Sequence, residues 1–142
     1  MAKEVNIFLD NRPGRLRSVA EVLSQNSINI RTMTLQDRTE FGLMKLIVDE
    51  PEKAHAALLD KGFACALKEI LAIIVNDKPG SFLKLADVFT KHGINILDAY
   101  GFVIESNKNA VFCVEVKDPQ GMRNILAQEG FQVLDGDQLY QF

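Results

Sequence analysis

Seven residues that occur twice limit what this chain can fold into. Asp10-Asn11-Arg12-Pro13-Gly14-Arg15-Leu16 returns as Asn76-Asp77-Lys78-Pro79-Gly80-Ser81-Phe82, and Pro13 to Pro79 sets an offset of 66 positions. Each copy follows an apolar run and precedes a helical pattern. Proline in a first helical turn gives up no needed hydrogen bond, because that N–H has no partner there. Glycine beside it lets another group approach the backbone closely. The product is a helix N-terminus whose N–H groups and dipole suit a carboxylate or a phosphate.

The duplication runs through every element. Val5, Ile7 and Leu9 correspond to Leu71, Ile73 and Val75, alternating as strands do. Leu16, Val19, Ala20 and Leu23 give one helix face, and Phe82, Leu85, Ala86 and Phe89 repeat it. Ile28-Asn29-Ile30 becomes Ile94-Asn95-Ile96 at the opening of each second strand. A longer turn at 105–109 moves the offset to 68, after which Phe112, Val114 and Val116 match Met44, Leu46 and Val48. Gly62-Phe63 matches Gly130-Phe131 in the same way. The order is βαββαβ twice, with repeats at 1–68 and 69–142.

That order predicts an α+β fold of two ferredoxin-like βαββαβ repeats side by side. Pairing of the edge strands 30–36 and 96–104 would join them into an eight-stranded antiparallel sheet with four helices on one face. The helix-free face would then show Phe8, Met33, Leu35, Ile47, Ile74, Val103 and Cys113, too apolar to face water. A homodimer stacked through that face is the expected cover.

A net charge of −3 leaves no electrostatic footprint for nucleic acid or an anionic membrane, so neither is an expected partner. No apolar run reaches the ~18 residues of a membrane span. A strand pattern from the first residues predicts no signal peptide and a cytoplasmic protein. Cys65 and Cys113 lie in apolar runs and are expected as free thiols. His55 and His92 have no ligand at metal spacing, so no metal or cofactor is expected.

Strand, Asp-Asn-Arg-Pro-Gly-x-Leu, helix and then Ile-Asn-Ile resembles the ACT domain, and the resemblance covers both repeats. It implies a stand-alone tandem ACT protein, a non-catalytic regulatory module whose ligand is a free amino acid. In ACT pairs the ligand lies between the first loop of one domain and the second-strand start of the other, held by an asparagine from each. The resemblance carries over to Asn11 with Arg12, Pro13, Gly14, Arg15 and Leu16, and to Asn29 and Ile30. In repeat 2 it carries over to Lys78, Pro79, Gly80, Ser81 and Phe82, and to Asn95, Ile96 and Leu97. Asp77 stands where the loop asparagine belongs, so the two sites are expected to differ, the Asn11 site being the tighter. Chemically, N–H groups of residues 14–16 or 80–82 would take the ligand carboxylate. Asn11 or Asp77 would accept from its ammonium.

Two rivals remain at this level. One is a regulatory subunit that acts by contact with a biosynthetic enzyme partner. The other is an acylphosphatase-like hydrolase using Arg12 or Arg15 with Asn29. Pro13 removes a backbone donor that such a phosphate loop needs, and no nucleophile–base pair recurs in both halves.

Overall fold

The computed structural model describes residues 1–10 and 12–141. The chain divides into two compact units, Lys3–Lys68 with Gln141, and Glu69–Tyr140 with Met1–Ala2. In the first, β1 (Ala2–Leu9), α1 (Arg15–Gln25), β2 (Ile30–Asp37), β3 (Gly42–Val48) and α2 (Pro51–Asp60) lead into β4 (Ala64–Asn76). Its strands run in the order β2-β3-β1-β4. The register sets Val5 opposite Leu46 and Ile7 opposite Met44, so these apolar side chains share one face. Val19, Val22 and Leu23 of α1 and Ala54 and Leu58 of α2 pack against that face.

The second unit continues with α3 (Ser81–Lys91), β5 (Asp98–Glu105), β6 (Asn109–Glu115), α4 (Pro119–Gln128), β7 (Gln132–Leu134) and α5 (Gly136–Tyr140). Its order is β5-β6-β4-β7. Leu71 lies opposite Val114 and Ile73 opposite Phe112. Leu85, Val88 and Phe89 of α3 and Met122 and Leu126 of α4 close this core. Helix α4 starts where it does because Asp118 accepts the Gly121 N–H at 3.0 Å and Pro119 takes the first turn.

The structure corrects the expected fold in detail. There are seven strands, not eight, among the described residues. Lys68-Glu69-Ile70 holds no glycine or proline, so the last strand of repeat 1 and the first of repeat 2 run on as β4. Among the described residues there are five helices, not four. The extra one, α5, buries Leu139, and its entry is tied by Asp135 N–H donating to Gln138 Oε1 at 3.0 Å. Strand β2 pairs with β3 and β5 with β6.

The faces also shift. In α1 the inward residues are Val19, Val22 and Leu23, while Leu16 is exposed and Arg15 sits half-buried. In α3 Ser81 is inward and Phe82 is exposed. A bulge between Ile30 and Thr32 changes the parity of β2, which turns Leu35 onto the helix-side core. Ile47 and Cys113, expected to need a second copy to cover them, are buried within the single chain. Phe8, Met33 and Val103 remain exposed.

Candidate functional site

The duplicated loop folds the same way twice. Gly14 (φ 92°) and Gly80 (φ 87°) precede α1 and α3 in the left-handed region, where a Cβ would be strained. Arg12 N–H donates to Asp10 O and Arg15 N–H to Arg12 O, at 3.0 and 3.1 Å. Lys78 N–H to Asn76 O and Ser81 N–H to Lys78 O repeat this at 3.0 and 3.3 Å. No side chain caps either helix. The backbone is shared; what stands on it is not.

In repeat 2 the loop opens onto a cleft of about 440 Å3. Asn76, Lys78, Ser81, Lys84, Lys108 and Asn109 supply its polar wall, and Ile74, Val75 and Phe131 its apolar one. Ser81, first residue of α3, is 9% exposed, and its hydroxyl has no hydrogen-bond partner among the described residues. The Oδ1 of Asn109 is buried and also lacks a partner. Leaving that oxygen unpaired costs about 1–3 kcal/mol. Lys108 pairs with Glu105 at 2.5 Å. No carboxylate lines the cleft.

Repeat 1 carries different side chains on the same backbone. Arg15 occupies the position of Ser81, with its guanidinium carbon 4.9 Å from the Phe63 ring centroid. Its Nε lies 3.0 Å from Asp10 Oδ1, yet that nitrogen makes no aligned hydrogen bond, so the contact is electrostatic. Arg12 Nε meets the same carboxylate at 2.6 Å. A hollow of about 190 Å3 lies beside Asp10 and Arg12, lined also by Asp37, Thr39, Glu40 and Phe41.

A family model described as an ACT domain pair matches residues 1–142. The chain belongs to the ACT domain pair family. Protein BT0572 from Bacteroides thetaiotaomicron has a similar structure, with TM-score 0.92 and 29% identity over 99% of this chain and 96% of that one. The ligand-free regulatory subunit of aspartate kinase from Thermus thermophilus shares the fold at TM-score 0.64, with 16% identity over 90% and 92% of the two chains. The same subunit from Thermus flavus gives 0.62, with 14% identity over 89% and 91%. No curated protein matches the chain.

The ACT pair brings together some of the residues expected at its sites and separates others. Lys78 and Ser81 share the 440 Å3 cleft. Asn95 and Leu97 line a different one of about 550 Å3, with Ile94, Met122 and Ile125. Asn29 and Asn95 precede their strands rather than open them. Asn29 is held by Asp49, whose carboxylate takes its N–H at 2.9 Å. Ile30 and Ile96 pack against the two cores. Asp77 turns to the β5–β6 hairpin, where Oδ2 accepts the Asn107 N–H at 2.7 Å. Phe82 leans on Phe112, centroids 4.9 Å apart. Pro13, Gly14, Leu16, Pro79 and Gly80 are exposed. Asn11 lies outside the described residues.

Asn109 and Lys108 were not expected at a site. The signal was strand pairing: β4 and β6 run antiparallel with Asn76 opposite Asn109, which carries the hairpin to the loop. Nothing catalytic stands out beside it. Burial pushes the Cys65 thiol above its ordinary pKa, away from a thiolate. No cluster of metal-ligating side chains is found among the described residues. Nor is any of their helices long and apolar enough to cross a membrane.

Proposed function

We propose that this ACT pair is a non-catalytic regulatory protein that binds a free amino acid in the repeat 2 cleft. The observation that carries the reading is the cleft in which the unpartnered Oδ1 of Asn109 and the hydroxyl of Ser81 stand beside two lysines at the uncapped start of α3. A zwitterion needs donors for its carboxylate and acceptors for its ammonium. The Ser81 hydroxyl, Lys78 and Lys84 supply the donors. Asn76 and Asn109 supply the acceptors, the latter once its amide turns about χ2. Ile74, Val75 and Phe131 take the ligand's carbon skeleton. A cleft of this size falls within the ~300–1,000 Å3 common for small-molecule sites.

The repeat 1 loop is read as a structural counterpart that holds its own arginine where the ligand would lie. Binding that favours one arrangement of the pair over another makes the amino acid a switch. The exposed Phe8, on the sheet face away from the helices of its repeat, is where we assign contact with a second copy of the chain. A thermal-shift screen against the twenty amino acids tests the reading. A ligand at 100-fold its Kd adds about 2.7 kcal/mol of stability. Ser81→Arg, which imports the residue of repeat 1, should abolish the shift. Absence of any shift at millimolar concentration contradicts the reading.

A further inference from the structure

Resting on the amino-acid reading of the repeat 2 cleft, we infer that its preferred ligand carries a second carboxylate: an amino acid with an acidic side chain. The charge balance of the walls carries this. Lys78, Lys84 and Lys108 are the charged side chains that line the cleft, and no aspartate or glutamate does. Glu105 already compensates Lys108. Lys78 and Lys84 make no ion pair among the described residues.

A neutral zwitterion leaves that imbalance untouched, because its ammonium offsets its carboxylate. A ligand with two carboxylates and one ammonium brings one net negative charge. Its α-carboxylate meets the Ser81 hydroxyl and the first turn of α3, where the dipole also favours an anion. Its side-chain carboxylate reaches the lysine that the first leaves free, through a charge-assisted bond. Its ammonium turns to the amide oxygens of Asn76 and Asn109. The apolar wall of Ile74 and Phe131 keeps these attractions from full screening.

Repeat 1 shows the same scaffold with an anion of its own between two cations. At the corresponding positions Asp10 faces Arg12 and Arg15, and both contacts are present. Repeat 2 keeps a cation at Lys78 but has Asn76 for the acid and Ser81 for the second cation. Lys84 then adds positive charge where repeat 1 has Ser18. Repeat 2 has thus lost the internal anion together with one cation, and Lys84 leaves it one positive charge more than repeat 1 at these positions. An external acid group restores the balance.

Titration calorimetry with L-aspartate, L-glutamate, L-asparagine, L-glutamine, L-leucine and succinate tests this on the unmodified chain, Lys84→Gln and Ser81→Arg, with melting curves to confirm folding. One of the two acids should bind at least about tenfold tighter than its amide, equivalent to ~1.4 kcal/mol. Lys84→Gln should shrink that ratio, and Ser81→Arg should remove binding. An amide or leucine that binds as tightly as the acids overturns the inference while leaving an amino-acid site in place. Succinate equal to aspartate also overturns it, since the ammonium then contributes nothing. An acid preference unchanged in folded Lys84→Gln removes it from this cleft. If none of the five amino acids binds the unmodified chain, the inference fails, and the twenty-member thermal-shift screen decides the broader reading separately.

Discussion

Arg15 and Phe63 close the repeat 1 site by stacking, with the guanidinium carbon 4.9 Å from the ring centroid, whereas their counterparts Ser81 and Phe131 line an open cleft. The arginine-to-serine difference is the one on which the proposed difference between the two helix starts rests. Arg15→Ser should cost about 1 kcal/mol, from lost stacking and lost burial of the arginine stem. Chemical denaturation of the variant measures it.

Asp77 offers a sharper contrast. By family position it would hold the ligand; by geometry it holds the β5–β6 hairpin through the Asn107 N–H, where Asn107 has a positive φ of 62°. Asp77→Ala should lower stability by about 1 kcal/mol. It should weaken ligand binding only as far as Lys108 and Asn109 shift. Asp77→Asn, able to accept the same N–H, should recover most of both. Paired melting and calorimetry on the two variants would show it.

Much of the fold could be read from the chain. The 66-residue repeat, the alternation of Val5, Ile7 and Leu9, and Pro-Gly before each helix named the elements and their order. The strand count failed at Lys68-Glu69-Ile70, where a change of repeat leaves no mark on backbone preference. The α1 face was misjudged because Leu16 and Ala20 fit a helical stripe as well as Val22 does. The half-buried Arg15 breaks that stripe by lying on an aromatic ring. The site was half legible: the loop was visible in the residues, but Asn109 reaches it by strand register, a long-range fact. That Asp77 faces the hairpin was equally hidden, since an aspartate in a loop serves ligand and turn alike.

A buried polar pair on β1 gives a further expectation. Asn6 Nδ2 donates to Glu4 Oε1 at 3.0 Å, and both residues are almost fully buried. Asn6→Ala should destabilise the protein by about 1–3 kcal/mol, because a buried carboxylate loses a donor. The urea midpoint of the variant measures the loss.

Stability should also fall in acid. Glu52 is held below its ordinary pKa by a hydrogen bond from Lys3, Glu129 by Lys91 and then His92, and Asp135 by Arg123. Each folded-state pKa lies below the unfolded one, so each contribution is present above the unfolded value near 4 and is lost as pH falls through the folded value. Glu52 and Asp135 are solvent-exposed and Glu129 is half-buried, so the effect should be shallow and reduced by salt. Melting temperature followed from pH 6 to pH 2 at low and high salt checks it.

The central claim is that one of the two duplicated loops receives the ligand and the other is closed by its own arginine. Calorimetric stoichiometry tests it most directly, using the amino acid that raises the melting temperature most. One ligand per chain, lost in a folded Ser81→Arg variant, is the predicted result. Two equal sites per chain, or one site that survives Ser81→Arg unchanged, would contradict it.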